Sequence, residues 1–370
     1  MYQAKFQINN QILKNISQAE SARAIIGSSP LVPAYERRFQ QEAVNRTVHY
    51  GTHLEGNDLS LQEVIKVMEG QKISAGQRDL QEVINYRNVM QYLEELWSQH
   101  DAGIVSGQAI PQENSQFHYS EEILKKMHRL TTEKVIDASL VGQYRRQEVT
   151  LRNSQTGEII HRPPPSVEVP FMIADFLNWL NQQEVQKFHP IIKAAIAHYV
   201  LVAIHPFPEG NGRVARAFST LVLHTEGYDI RRLFSLEEYF DRHADLYYRA
   251  IQKTDQTNPD LIQRDLSGWI EYFTEVLAIE LDRVKEKVLH LSADYRLKRQ
   301  LGGKQIPLSD RQIKLVEYMR EFGGLRMPDA QELLPMVSDD TIWRDLKKLI
   351  ESKIVGKRGS TKGAYYHLIE

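Results

Sequence analysis

The chain has 370 residues, of which 42% are hydrophobic and 25% are charged, a composition typical of globular proteins with a sizeable core. Its formal net charge of −2 argues against wholesale electrostatic attraction to nucleic acids or membranes. The absence of cysteine excludes disulfides and thiolate metal sites, and it fits a reducing compartment. The longest apolar run, residues 194–204, is too short to span a membrane. We therefore predict a cytoplasmic protein of two or three domains that does not associate with membranes.

The first hundred residues predict a helical region. Ser60 and Glu63 have the spacing of a capping box, and apolar residues recur after them with the period of a helix. Residues 80–97 continue as an amphipathic helix, whereas residues 101–116 are rich in Gly, Pro, Ser and Asn and predict a loop or linker. We assign residues 1–100 to an N-terminal helical region.

The middle of the chain predicts helices that are interrupted by one hairpin. We expect helices to begin near residues 120, 171, 190, 210, 236 and 260, the last of them continuing to about residue 297. Val149 to Ile160 surround a polar tip, residues 153–157, in the pattern of a β-hairpin. Three prolines at 163–165 then predict a rigid return into the next helix. An exposed hairpin edge can accept an extended segment of another protein, although the hairpin can equally be a plain surface feature.

The most informative segment is residues 205–216, which read His-Pro-Phe-Pro-Glu-Gly-Asn-Gly-Arg-Val-Ala-Arg. Pro206 and Pro208 cannot simply continue the preceding apolar helix, so the chain must turn after His205. Residues 210–212, Gly-Asn-Gly, then open a second helix. The first N–H groups of a helix lack intrahelical partners and attract anions, so this turn predicts an anion site.

Charged side chains of the same segment strengthen the prediction of an anion site. Arg213 and Arg216 are three residues apart, so they share one face of the helix and can both reach a chain of phosphates. Phosphate would repel Glu209 unless a divalent cation bridged the two groups. His205 is a candidate proton acceptor, and Phe207 is interpreted as an apolar anchor of the loop. Each residue alone has an ordinary structural explanation, but together they predict phosphate chemistry.

This segment resembles the signature of the Fic family, His-x-Phe-x-(Asp/Glu)-Gly-Asn-Gly-Arg-x-x-Arg, and matches it at each defined position. The resemblance extends over roughly residues 120–290, where residues 142–145 and the hairpin are similar to the flap of that family. It implies a mainly α fold with a helical Fic core and a β-hairpin flap, which we assign to residues 117–298. It also implies an enzyme, a protein adenylyltransferase that moves AMP from ATP to a Ser, Thr or Tyr hydroxyl of a target protein or of itself.

The resemblance further implies a role for each residue of the signature. His205 would be the base that deprotonates the hydroxyl, and Glu209 would hold Mg²⁺. The remaining positions would bind the nucleotide: Gly210, Asn211 and Gly212 at the α-phosphate, Arg213 at the β-phosphate and Arg216 at the γ-phosphate. Relatives that resemble the Doc toxin replace the second glycine and transfer phosphate, so Gly212 favours nucleotidyl transfer. Tyr247 and Tyr248 are candidates for stacking on the base, but tyrosines at such positions are also common in cores, so the nucleoside stays open.

Residues 51–57, Gly-Thr-His-Leu-Glu-Gly-Asn, resemble the inhibitory motif of the family, (Ser/Thr)-x-x-x-Glu-(Gly/Asn). The match is partial, because Gly51 stands where the motif has Ser or Thr, and the nearest hydroxyl belongs to Thr52. A glutamate followed by glycine at the end of a helix is also a common capping arrangement. The resemblance implies that Glu55 pairs with Arg216 and keeps that guanidinium from the γ-phosphate. In some relatives this glutamate positions a water that removes AMP, so a reverse activity stays open.

After residue 299 the sequence changes character. Residues 301–304, Leu-Gly-Gly-Lys, predict a linker. We expect helices over residues 310–322, 328–334 and 338–350, and two strands around residues 354–355 and 365–368. Three helices followed by a two-stranded wing resemble a winged helix-turn-helix domain, which we assign to residues 305–370.

The third of these helices and the wing carry more basic than acidic residues. The basic residues are Arg344, Lys347, Lys348, Lys353, Lys357, Arg358 and Lys362, and the acidic ones are Asp345, Glu351 and Glu370. One alternative function is therefore a DNA-binding transcriptional regulator in which the Fic core senses a nucleotide. Winged helices equally serve in protein interaction or homodimerisation. Transfer of another nucleotide and removal of AMP are the remaining alternatives.

Overall fold

The structure is a computed structural model in which helices predominate, and this confirms the prediction of a mainly α fold. The described residues are 2–29, 31, 33–105, 117–152, 159–300, 308–335, 337–359 and 364–369. Among the helices of these ranges, none is long and apolar enough to cross a membrane. The tip of the predicted hairpin and the predicted linker at 301–304 lie outside the described residues.

Two compact units make up the chain. One combines Met1–Ile25 with Gln40–Lys285, and the other combines Ile26–Phe39 with Glu286–Glu370. The first unit holds the segments that carry the signature and Glu55, and the second holds the segment assigned to the winged helix. The three-part division proposed from the sequence stays a prediction.

The N-terminal part of the chain is helical. Its helices are α1 (Asn10–Ser28), α2 (Pro33–His53), α3 (Leu61–Met68) and α4 (Gln77–Val105). The predicted capping box is confirmed, because Ser60 Oγ accepts a hydrogen bond from Glu63 N and the Glu63 carboxylate accepts one from Ser60 N. The prediction of a loop from residue 101 was wrong for its first five residues, since α4 continues to Val105. A single glycine at 103 costs a helix only about 1 kcal/mol and does not end it.

The centre of the chain alternates helices with a short hairpin. The elements are α5 (Glu121–Thr132), β1 (Leu151–Arg152), β2 (Ile159–His161), α6 (Val169–Leu180), α7 (Gln183–Gln186), α8 (Pro190–Ile204) and α9 (Asn211–Thr225). The two strands pair antiparallel, as predicted. Helix α8 is apolar around its whole circumference and almost wholly buried, so it forms the core against which α9 packs.

Three further helices complete the first unit: α10 (Leu236–Arg242), α11 (Ala244–Asp255) and α12 (Ser267–Gln300), the last of which extends beyond it. Helix α12 begins later than predicted, because Leu261–Gln263 form a 3₁₀ turn and Asp265 then caps the helix through Ser267 N. Its Trp269 is fully buried and donates a hydrogen bond to Ala195 O in α8 at 2.7 Å. This contact ties α12 to the core helix that ends at His205.

The second unit contains α13 (Asp310–Phe322), β3 (Leu325–Arg326), α14 (Met327–Leu333), α15 (Asp339–Glu351), β4 (Val355–Arg358) and β5 (Tyr365–Leu368). The strands form an antiparallel sheet in the order β3-β5-β4. Buried apolar residues of the three helices, among them Leu315, Ile342 and Leu346, form its core. The helices and the two longer strands were predicted, whereas the two-residue strand β3 was missed because it is too short to show an alternating pattern.

Candidate active site

The backbone conformation of the loop between α8 and α9 accounts for the residue types found there. His205 ends α8 in the left-handed region with φ 50°, and Gly210 adopts φ 78°, which favours glycine. A Cβ at Gly210 would lie 3.0 Å from Thr132 Cγ2, so the turn also has little room for a side chain. The Asn211 amide accepts a hydrogen bond from Phe207 N and donates one to Phe207 O, both at 2.8 Å. In the structure Asn211 therefore holds the loop in shape.

A buried ring stack anchors the same loop to α5. Phe207 is fully buried, as predicted, and stacks on His128 with ring centroids 4.0 Å apart and nearly parallel planes. His128 Nδ1 accepts a hydrogen bond from Gly142 N, which leaves Nε2 to donate to Glu209 O at 3.1 Å. Burial lowers the pKa of His128 to about 4, so this ring stays neutral at pH 7. Sequence reasoning missed His128, since a single histidine in a helix carries no local signal.

Arg145 holds the end of α8 from the other side. Its Nε donates to His205 O at 2.8 Å, and its backbone N donates to Pro206 O at 2.9 Å. A further bond joins its guanidinium to the Pro164 carbonyl, beyond the hairpin. Because a cation at a helix C-terminus satisfies carbonyls that lack partners, Arg145 stabilises the turn at His205.

His205 is partly buried, and its pKa is lowered to about 4, chiefly by burial and also by nearby His161. His161 is held by Asp255 Oδ2 at 2.6 Å and by Ala203 O at 2.8 Å. An imidazole with this pKa is neutral at pH 7 and has a lone pair that can accept a proton. The site therefore contains an imidazole that can accept a proton at pH 7.

Two buried guanidiniums lie in the first turns of α9. Arg213 is 3% exposed, and its Nη1 lies 3.6 Å from Glu82 Oε1 while its Nη2 lies 3.9 Å from Glu209 Oε1. Within the described residues, Nε and Nη1 of Arg213 have no hydrogen-bond acceptor. Unsatisfied buried donors are costly, so this side chain is ready to bind an anion.

The predicted contact between Glu55 and Arg216 is present. Arg216 Nη2 donates to Glu55 Oε1 and to Gly51 O, both at 2.9 Å, and the Arg216 side chain is 1% exposed. Burial alone would raise the pKa of Glu55, but Arg216 and Arg213 lower it below its ordinary value. Glu55 is therefore a carboxylate at pH 7, and it neutralises the arginine that the family resemblance assigns to the γ-phosphate.

Two glycines beside this ion pair leave space for neighbouring side chains. A Cβ at Gly51 would lie 2.3 Å from Tyr86 Cε1, so the ring of Tyr86 accounts for the departure from the Ser/Thr of the inhibitory motif. The nearby hydroxyl of Thr52 is bonded to Val48 O within its own helix at 2.9 Å. A Cβ at Gly212 would lie 2.2 Å from Glu55 Oε1. Gly212 thus admits the Glu55 carboxylate to the start of α9.

Gly212→Ala is expected to push the Glu55 carboxylate aside and to weaken its bond to Arg216, an interaction that contributes about 1.5–3 kcal/mol. Alanine favours a helix over glycine by up to about 1 kcal/mol, and this gain is the same whether or not Glu55 is present. In Glu55→Gly protein the substitution should therefore cost much less or be stabilising. Denaturant unfolding of the wild type, both single variants and the double variant measures the coupling. An equal cost in both backgrounds would contradict the contact.

Glu209 is the candidate cation ligand, and its side chain is 36% exposed. Across the described part of the chain, no group of three or more His, Asp or Glu is arranged to hold a metal ion. A lone carboxylate nevertheless suits Mg²⁺, which usually keeps several waters and is bound through one or two carboxylates and the phosphates of a substrate. The residues at this position therefore fit a cation that arrives with a nucleotide.

The two tyrosines considered for base stacking differ in their surroundings. Tyr247 is 2% exposed, lies against Trp269 and has its hydroxyl 3.2 Å from His198 Nε2, so it belongs to the core. Tyr248 is 44% exposed and packs edge-on against Tyr247 with ring centroids 5.0 Å apart. Only Tyr248 of this pair has a ring face available to a ligand.

The loop after α8 and the start of α9 thus bring together a neutral imidazole, two buried guanidiniums and a helix N-terminus, a set of groups suited to binding anions. Residues 118–223 match the model of the Fic/DOC family, so the chain contains a segment similar to that family. The Protein adenylyltransferase Fic of Aedes aegypti is 28% identical over 194 residues, 52% of this chain and 34% of that protein. The protein of the same name from Culex quinquefasciatus is 25% identical over 283 residues, 70% of this chain and 52% of that protein. The chain thus spans between a third and about half of the length of these curated relatives.

Solved structures show the same fold. A Fic family protein from Desulfovibrio desulfuricans G20 is similar with a TM-score of 0.66 and 22% identity, over 100% of this chain and 98% of that chain. A Fic domain containing signaling protein from Bacteroides thetaiotaomicron is similar with a TM-score of 0.60 and 21% identity, over 77% of this chain and 97% of that chain. At these identities the likeness establishes the Fic fold and nothing about substrates.

Proposed function

We propose that this protein is a protein adenylyltransferase, which moves AMP from ATP to a Ser, Thr or Tyr hydroxyl of a target protein or of itself. The observation that carries the proposal is the meeting of neutral His205 with buried Arg213 and Arg216 around one helix N-terminus. The names of the matched relatives support the same activity.

The geometry suggests how the transfer proceeds. His205 accepts the proton of the hydroxyl as that oxygen forms a bond to the α-phosphorus. The bond between this phosphorus and the oxygen bridging to the β-phosphate breaks, so AMP stays on the target as a phosphodiester and pyrophosphate leaves. Arg213, Arg216 and the first N–H groups of α9 stabilise the negative charge, since most of the catalysis in such transfers is alignment and charge stabilisation.

Glu209 is the residue that holds Mg²⁺ in this proposal. The cation would supply positive charge that stabilises the phosphates and the leaving pyrophosphate. Arg213 lies on the same side as this carboxylate, with 3.9 Å between Nη2 and Glu209 Oε1. The two side chains can therefore contact neighbouring phosphates of one nucleotide.

Glu55 restrains the reaction in this proposal. Its carboxylate takes the Nη2 donor of Arg216 that a γ-phosphate would use, so ATP binds only in a pose that does not react. The hairpin of β1 and β2 offers a strand edge to the target, which would place its hydroxyl near His205. Arg145 supports this arrangement because it bonds both His205 O and the Pro164 carbonyl that follows the hairpin.

The test of the activity is covalent labelling of Glu55→Gly protein incubated with Mg²⁺ and ATP that is labelled at either the α- or the γ-phosphate. Label that is retained on protein from the α-position only is the expected result. Label from the γ-position only would instead identify phosphotransfer. No label from either position, with the protein folded, would count against transfer from ATP to the protein itself.

DNA binding by the second unit is a second candidate function, and the exposed basic residues of α15 and β4 favour it. These are Arg344, Lys347, Lys348, Lys357 and Arg358. Asp345 of the same helix is buried and paired with Arg311 at 2.8 Å, whereas exposed Glu351 lies 3.9 Å from Lys347 and offsets part of the positive charge. We expect affinity for a mixed-sequence DNA duplex that falls steeply with salt and is lost in a Lys347→Glu, Lys348→Glu variant. An absence of binding at low salt would exclude this function.

A further inference from the structure

Helix α4 brings a second pair of charged residues to the same site, and neither belongs to the signature or to the inhibitory motif. Arg78 donates a hydrogen bond from Nη2 to Glu209 Oε1, the carboxylate proposed to hold the cation. Its Nε donates to Glu82 Oε1 at 3.2 Å. The same Glu82 oxygen lies 3.6 Å from Nη1 of Arg213, the arginine proposed for the β-phosphate.

Glu82, the residue that holds Arg78 from the other side, is itself fixed within the fold. Glu82 is 5% exposed, and its other oxygen accepts a hydrogen bond from Asn57 Nδ2 at 3.1 Å. Asn57 is itself buried and also donates to Asp79 O at 3.1 Å. The loop that follows Glu55 is thereby fixed to the start of α4. The contact of Glu55 with Arg216 and that of Arg78 with Glu209 therefore both depend on residues 55–78.

We propose that Arg78 lowers the affinity of the site for its divalent cation, because its guanidinium competes with the cation for Glu209. The inference rests on the adenylyltransferase function proposed above. Arg78 uses Oε1 of Glu209, so its positive charge stands where a cation bound to that oxygen would stand. Glu82 holds the guanidinium in place from the other side. Cation entry requires Arg78 to swing away from Glu209, and Glu82 remains as its partner.

The solvent exposure of Arg78 and Glu209 sets the expected size of the effect on cation affinity. The Arg78 side chain is 59% exposed and that of Glu209 is 36% exposed, so water screens the pair. Exposed ion pairs change an equilibrium by no more than about fivefold. A cation can therefore displace Arg78 from Glu209, and Arg78 changes the cation affinity only moderately. In the pair of Glu55 with Arg216, in contrast, the guanidinium is buried.

The experiment compares Arg78→Met with its parent, both in Glu55→Gly protein so that Arg216 is available to the nucleotide. Isothermal titration calorimetry measures binding of α,β-methylene-ATP, which cannot transfer AMP, across a series of Mg²⁺ concentrations. Arg78→Met is expected to lower the half-saturating Mg²⁺ concentration by about two- to fivefold. The matched control is Arg87→Met, on the same helix, whose guanidinium is bonded to Asn88 and should leave the Mg²⁺ dependence unchanged.

Arg78→Met also removes one partner of buried Glu82, which keeps its hydrogen bond from Asn57, so the thermal unfolding temperature of each variant is measured to establish that it is folded during the titration. An unchanged Mg²⁺ dependence in Arg78→Met, or an equal change in Arg87→Met, would overturn the inference and leave the transfer function standing. The expected shift together with no covalent labelling would support the role of Arg78 and count against transfer. Absence of analogue binding in every variant would overturn both.

Discussion

Replacing His205 by alanine is expected to reduce the rate of AMP transfer by about 10²–10⁴-fold, the usual contribution of a positioned proton acceptor. The backbone of the loop should survive, because Arg145 bonds the carbonyl of residue 205 and not its side chain. Nucleotide affinity should change little, since Arg213 and Arg216 are untouched. Labelling by α-labelled ATP in the Glu55→Gly background measures the rate, and calorimetry with α,β-methylene-ATP measures the binding. Undiminished labelling would remove His205 from the mechanism.

The pH dependence gives an independent check on the same residue. A histidine of ordinary pKa, about 6.5, loses most of its base form between about pH 8 and pH 6. Burial lowers the pKa of His205 to about 4, so it keeps its base form over that range. The kcat/KM of Glu55→Gly protein, which reports the free enzyme, should therefore not fall between about pH 8 and pH 6. The substitution of Glu55 does not change this expectation. The Glu55 charge raises the pKa of His205, so its removal can only lower that pKa further. A fall centred near pH 6.5 would contradict the buried, neutral imidazole.

The part of the site that could be predicted from sequence is the part encoded by neighbouring residues. A proline-forced turn, a Gly-Asn-Gly step and arginines at three-residue spacing determine the local geometry of one loop and one helical turn. The structure has His205 at the C-terminal end of α8, Gly210 immediately before α9 and Arg213 in the first turn of α9. It differs in detail at Asn211, whose amide is bonded to Phe207 and shapes the loop.

The residues that surround this loop could not be found in the same way. Arg78 and Glu82 meet Glu209 and Arg213 across more than 120 residues of sequence, and nothing in α4 marks them as different from other charged residues of an amphipathic helix. His128 is likewise a helical residue whose stacking on the loop depends on how α5 packs. Tertiary packing, which a single sequence does not display, decides these contacts.

The partial inhibitory motif illustrates the same limit. The sequence showed only that Gly51 departs from the expected Ser or Thr, which weakened the match. The structure supplies the reason, because the Tyr86 ring fills the space of a side chain at 51 while Gly51 O accepts a bond from Arg216. Tyr86 lies 35 positions further along the chain, so the residues around Gly51 could not show that its ring fills this space.

Glu55→Gly is expected to raise self-modification at least about tenfold. A hydrogen bond between charged groups contributes about 1.5–3 kcal/mol, and each 1.4 kcal/mol is about a factor of ten. The substitution frees Nη2 of Arg216 from its carboxylate, although the bond to Gly51 O remains and keeps the guanidinium in position. Because Glu55 follows the end of α2, glycine there should not unwind the helix. Equal labelling of the variant and the wild type would contradict a restraining role for Glu55.

Two further variants separate the charge of Glu55 from its volume and test its dependence on Arg216. Glu55→Gln keeps the size of the side chain but removes the charge-assisted bond, so activation intermediate between the wild type and Glu55→Gly is expected. In an Arg216→Ala background, Glu55→Gly should give no activation, because the group that it releases is gone. Full activation in that background would mean that Glu55 restrains the reaction through Arg213 or His205, the other charged or titratable neighbours that it influences. The ion pair with Arg216 would then be a structural contact only.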